Sequence, residues 1–130
     1  MDEKMSSETN ALNWFEIPVT DISRAKKFYE SIFEISMQEM EMAGMKYAMF
    51  PFAPMNGKVA GGLAQSPMHT PSATGSIIYL NANPDLQTVL DRIETAGGKI
   101  AMQKTSIGQN GYMAFFTDTE GNTMALHSNN

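Results

Sequence analysis

The chain has two histidines, His69 and His127, and no cysteine, so little catalytic chemistry is open to it. Without cysteine there are no disulfides, no thiolate metal sites and no sulfur nucleophile. There is no GxSxG elbow, no phosphate-binding glycine-rich loop and no HExxH pair. Gly61-Gly62 is too short a signal for a nucleotide site. Acid–base work and ligand recognition remain. Glu16 follows Trp14 at a spacing of two, and His127 carries an imidazole, the side-chain type suited to acid or base work near neutrality. His127 also lies close to the C-terminus, where it fits an exposed surface histidine equally well. Tyr47 and Tyr79 each offer a hydroxyl and an apolar face, suited to orienting a ligand. Lys104 precedes Thr105-Ser106-Ile107-Gly108, which is expected to fold as a lid, with the lysine itself in solvent. His69 lies in a proline-rich stretch and is also expected to be solvated.

The 130 residues suffice for one domain with a hydrophobic core and are too few for two ordinary ones. Apolar residues make up 42% and charged residues 18%, the balance of a soluble globular protein rather than a disordered one. Net charge is -5 and only Lys26-Lys27 are adjacent bases, which argues against a nucleic-acid partner. No apolar run approaches the roughly 20 residues of a membrane span. Residues 1–10 are polar and acidic, read as a loose tail without the apolar core of a secretory signal. A cytoplasmic location is expected. Met37, Met40, Met42, Met45 and Met49 crowd one stretch, either as flexible core filling or as an adaptable apolar pocket.

Two halves of the chain follow one plan. Phe15, Ile17 and Val19 alternate with Trp14, Glu16 and Pro18, a strand with one apolar face. Asp21 then offers an N-cap, and Ile22, Ala25, Phe28, Tyr29, Ile32 and Phe33 form a helical stripe. Period two returns over Met37 to Met42, where Glu39 and Glu41 are expected on the wet side. Ala43-Gly44 turns the chain into Met45 to Phe50, and Val59 to Ala64 makes a fourth strand. A linker over 65–75, rich in proline, serine and threonine, separates the halves. The second half begins with a strand over Ser76 to Ala82. Asn83 is expected to cap a helix that Pro84 opens, striped by Leu86, Val89, Leu90 and Ile93 and ended by Gly97-Gly98. Strands over Lys99 to Lys104, Tyr112 to Thr117 and Thr123 to Ser128 follow, with the last turn at Asp118 to Asn122. The reading is α+β: two βαβββ modules, 11–64 and 76–128, forming a concave mixed β-sheet cup with helices outside. One helix covers one sheet face, leaving the other for a ligand or a partner.

This plan resembles the vicinal oxygen chelate superfamily, the group of glyoxalases, bleomycin-resistance proteins and extradiol dioxygenases. Trp14-Phe-Glu-Ile-Pro-Val-Thr-Asp21, with Arg24-Ala25 and Phe28-Tyr29, is similar to the family's opening strand and helix. Tyr79-Leu-Asn81, Ala114-Phe-Phe-Thr-Asp-Thr-Glu-Gly-Asn122 and Met124-Ala-Leu-His-Ser128 are similar to its closing module. Glu34 stands where family members often end the first helix in glycine, and Thr119 where they often carry proline. The resemblance implies a divalent metal held by inward His, Gln or Glu side chains, acting as a Lewis acid. The matching positions here are Trp14, Ile77 and Ala125, which cannot ligate a hard cation, so no metal or other cofactor is expected.

On the family's pattern Trp14, Glu16, Ile77, Tyr79, Asn81, Ala125 and His127 face the cup. An acid there must be solvated, paired or turned to a ligand, because an unpaired buried carboxylate is costly. Pairing of Glu16 with Lys104 or His127 is one expectation, and a ligand contact is the other. The ligand-binding candidates are thus Trp14, Glu16, Tyr47, Tyr79, Asn81 and Lys104, and the catalytic candidates Glu16 and His127. The expected function is metal-free binding of a small organic molecule. The alternatives are a metal-dependent lyase, isomerase or dioxygenase of glyoxalase type, or a metal-independent enzyme using Glu16 and His127. Family members of this size imply a homodimer, the commonest symmetric assembly.

Overall fold

The computed structural model describes residues 3–130. Module one runs β1 (Trp14–Pro18), α1 (Ile22–Phe33), β2 (Gln38–Met42), β3 (Met45–Met49) and β4 (Ala60–Gln65). Module two runs β5 (Tyr79–Asn81), α2 (Leu86–Ile93), β6 (Lys99–Ser106), β7 (Tyr112–Thr117) and β8 (Thr123–Ser128). The sheet orders are β1-β4-β3-β2 and β5-β8-β7-β6, so both modules share one topology. In each, the first strand pairs parallel with the last and the other neighbours are antiparallel. The expected α+β fold of two βαβββ modules is what the chain adopts.

Each helix is positioned by the same device. Asp21 caps α1 by accepting from Arg24 N, and the first helical N–H, that of Ile22, donates to Gln65 Oε1 at 2.7 Å. Asp85 caps α2 by accepting from Gln87 N, and Leu86 N donates to Ser128 Oγ at 2.9 Å. A side-chain oxygen at the end of the module's last strand thus satisfies a helix-start donor that has no intrahelical partner. The expected cap at Asn83 is corrected to Asp85, because Asn83 accepts from Asn129 N instead and the helix opens after Pro84.

The buried stripes Ile22, Ala25, Phe28, Tyr29, Ile32 and Leu86, Val89, Leu90, Ile93 meet in one core with Ile17, Leu63, Phe116 and Leu126. Phe28 of α1 lies 6.0 Å, ring to ring, from Phe116 of β7, so the core crosses the module boundary. Each such side chain contributes roughly 1.5–3 kcal/mol by leaving water. Gly98 permits that approach: a Cβ there would stand 2.8 Å from Phe28 Cε1 and from Thr117 O.

Several boundaries differ from expectation. Classed strand in β5 is only Tyr79–Asn81, although Ala125 N to Ile78 O and Ala82 N to His127 O continue its pairing. The linker starts one residue late, since Gln65 ends β4. The expected lid is corrected: Thr105 and Ser106 pair with Met113 and Tyr112 in β6, leaving only Ile107 and a 3-10 turn at Gly108–Asn110. Of the tail, Met1 and Asp2 lie outside the described residues. The remainder is not wholly loose, because Asn10 Nδ2 donates to Gly57 O at 3.0 Å.

Candidate functional site

Strands β1 and β5 each end their sheet, and between these two edges lies a cavity of about 1050 Å³. Trp14 and Glu16 reach it from β1; Ile77, Tyr79 and Asn81 reach it from the β5 segment. Residues of the core face line it as well, Phe15 and Leu80 among them, together with Val89 and Arg92 of α2. Trp14 is 37% exposed, Ile77 40% and Tyr79 50%, unusual for large apolar side chains and a sign of surface open to a ligand. Phe52 meets Trp14 edge-on at 5.5 Å, and Phe115 supports Tyr79 at 6.2 Å. Neither phenylalanine stood out in the sequence as part of the site.

Glu16 pairs with neither Lys104 nor His127. Its Oε1 is 2.8 Å from His69 Nε2, and His69 Nδ1 is 2.7 Å from Ser66 Oγ. His69 is therefore not the solvated histidine expected: its side chain is 16% exposed and ties the linker to β1. The hidden signal was topological. Because β4 runs parallel beside β1, with Ala64 opposite Pro18, the chain leaving Gln65 passes within reach of Glu16.

Lys104 is also paired rather than solvated. Its Nζ donates to Asp85 Oδ1 at 2.8 Å and lies 4.5 Å from the centre of the Tyr112 ring. That hydrogen bond, followed by the one from Gln87 N, lowers the Asp85 carboxyl below its ordinary value. Lys104 does not line the large cavity, although Asp85 does. Tyr47 lies outside it too, opposite Ala64 and Met40 on the face that carries Trp14 and Glu16.

His127 lines a smaller cavity of about 520 Å³ with Tyr79, Asn81, Ile107 and Met113. Its Nε2 lies 2.7 Å from the carbonyl of Asn110. A carbonyl only accepts, so Nε2 carries the proton and, in the neutral ring, Nδ1 keeps its lone pair. Glu16 and His127 thus line neighbouring cavities and have different hydrogen-bond partners. Tyr79 and Asn81 border both.

A family model for the Glyoxalase/Bleomycin resistance protein/Dioxygenase superfamily matches residues 11–126. The chain belongs to that superfamily. It is similar to the glyoxylase-named protein CFP32 of Mycobacterium tuberculosis, 32% identical over 116 residues, which are 88% of this chain. The match covers 44% of CFP32, so this chain spans about half the length of that relative. Among solved structures, a glyoxalase/bleomycin resistance protein from Streptomyces sp. CB03234 superposes with a TM-score of 0.66 at 22% identity, over 89% of this chain and 98% of that one. A glyoxalase I variant from Zea mays gives 0.67 at 20%, over 91% of this chain and 46% of that one. Both likenesses speak for the fold alone.

Superfamily enzymes hold a divalent ion, and the residues here do not fit one. Trp14, Ile77 and Ala125 occupy the positions that resemblance assigns to ligands. Among the described residues no group of three or more His, Asp or Glu side chains could hold a metal ion. Glu16 and His69 supply two donors, already bound to each other.

Proposed function

We propose that this superfamily member binds a small, partly aromatic organic molecule in the cavity between β1 and β5 without a resident metal. The observation that carries this reading is that Trp14 and Ile77, apolar at two of the positions the resemblance assigns to ligands, stand with Tyr79 on the wall of the cavity. Such an enclosure, mainly apolar with a few polar groups, is what a ligand of drug-like size needs. The experiment is metal analysis of dialysed protein together with a thermal-shift screen of aromatic metabolites and drugs. Stabilisation by an organic compound with no bound metal is expected; a stoichiometric divalent ion surviving dialysis overturns the reading.

The Nδ1 of His127, which has no hydrogen-bond partner among the described residues, favours a second reading, a metal-independent proton transfer in the smaller cavity. Loss of turnover in His127→Gln with ligand binding intact would select it. We propose in addition a homodimer, because Met40, Met42 and Phe52 leave apolar surface uncovered on one chain outside the cavity wall. Light scattering is expected to give twice the 14.3 kDa of the monomer. The monomer mass at micromolar concentration would sink that proposal. No helix among the described residues is long and apolar enough to cross a membrane, in keeping with a proposed cytoplasmic location.

A further inference from the structure

The hydrogen-bond chain through Ser66, His69 and Glu16 has a direction. Met68 N–H donates to Ser66 Oγ at 3.0 Å, so the hydroxyl hydrogen is free to point at His69 Nδ1. Nε2 then carries the imidazole proton and donates it to Glu16 Oε1. His69 thereby orients the Glu16 carboxylate through Oε1. Glu16 Oε2 has no hydrogen-bond partner among the described residues, and Glu16 lines the large cavity.

The other charges on that wall are already matched. Asp85 is held by Lys104 at 2.8 Å, and Arg92 by Glu34 at 3.4 Å and the Ile32 carbonyl at 3.0 Å. Glu16 is therefore the one carboxylate on that wall without a Lys or Arg partner among the described residues. Trp14 lies two residues away on the same strand face, roughly 7 Å along the chain, and Tyr79 lines the cavity from β5.

We propose that the ligand is an organic cation: a protonated amine on an apolar or aromatic body, its ammonium held by Glu16 Oε2 and its body by Trp14 and Tyr79. This deepens the binding reading and rests on it. A neutral donor could fill the same hydrogen bond, but it would bury the carboxylate with its charge uncompensated. An ammonium supplies a charge-assisted bond and is attracted to aromatic faces. The net charge of -5 favours a cation's approach as well.

Trp14 is the chain's one tryptophan, so its fluorescence reports on this cavity. The wild-type protein is titrated with 4-phenylbutylamine, 4-phenylbutan-1-ol and 4-phenylbutanoate, which share a body and differ in charge. The amine is expected to bind at least about fivefold tighter than the alcohol, with the carboxylate weakest. Glu16→Gln should abolish the preference, bringing the amine and the alcohol to similar affinities. Glu16→Lys should reverse the order. Both substitutions fall on a partly exposed side chain, and their melting temperatures check the fold. If the alcohol binds as well as the amine to wild type, or Glu16→Gln keeps the preference, the cation proposal falls while the binding reading stands. If none of the three binds, both fall.

Discussion

The Tyr29 hydroxyl donates to Asp118 Oδ2 at 2.7 Å, joining α1 of module one to the β7–β8 turn of module two. Both side chains are buried. Burial and then the Asp118 charge push the phenol well above its ordinary pKa, so it remains a donor at any physiological pH. The carboxylate also accepts from Glu120 N, Asn122 N and Asn122 Nδ2. Tyr29→Phe removes one donor from a buried charge and should cost about 1.5–3 kcal/mol. Urea unfolding measures this, and a change below about 0.5 kcal/mol would show that water replaces the hydroxyl.

A second tie between the modules depends on pH. Glu120 accepts from Thr20 N, Thr20 Oγ1, Asp21 N, Thr119 Oγ1 and Arg24. Burial pushes its carboxyl up, but these donors, Arg24 foremost, outweigh it and hold the pKa down to about 2. A depressed acid contributes stability that is present above its unfolded value of about 4.3 and is lost as pH falls through the folded value. Wild type should therefore exceed Glu120→Gln by on the order of 1–2 kcal/mol at pH 6, after allowance for solvent screening. The gap should close between about pH 4.3 and 2. Unfolding curves across that range test it; a gap that stays constant would remove the carboxylate's charge from the account.

Trp14→His is expected not to create a metal site. One imidazole is added while Ile77 and Ala125 remain, and a divalent ion needs three or four such ligands. Equilibrium dialysis against zinc or nickel should find the variant no tighter than wild type. Tight uptake would mean that the ligand positions have been assigned to the wrong residues.

At the end of α1, Glu34 adopts φ 54°, ψ 52°, with its N–H bonded to Glu30 O. This left-handed cap suits glycine, and a side chain there costs about 1 kcal/mol. Glu34→Gly also removes the exposed ion pair with Arg92, worth only about 0–1 kcal/mol. A net gain of a few tenths of a kcal/mol is expected, visible as a small rise in melting temperature. A fall would mean that the Arg92 bridge outweighs the backbone.

What could be read from sequence followed from periodicity. The stripe from Ile22 to Phe33 and the alternation from Trp14 to Val19 each report a single local face, and repeating them revealed both modules. Trp14, Glu16, Tyr79 and Asn81 were legible as opposite to the core for that reason. Contacts between distant segments left no such trace. His69 meets Glu16 across 53 positions, and Asn83 and Asp85 are both good caps until Asn129 claims the first. Lys104 looked free because its partner Asp85 lies 19 residues back, on another element. The methionine cluster divides: Met37 is buried core filling, whereas Met40 and Met42 stand exposed on β2.

That division bears on oxidative damage. Met5, Met55 and Met68 are open to solvent and lie outside the apolar surface assigned to the dimer, while Met37 and Met124 are sealed in the core. Mild peroxide should convert the first set to sulfoxides well before the second, because reactivity follows exposure. The added oxygen would then point into water instead of splitting packed side chains. With no cysteine to oxidise, these outer thioethers are the chain's first sulfur targets, placed where their loss of apolar character disturbs the interior least.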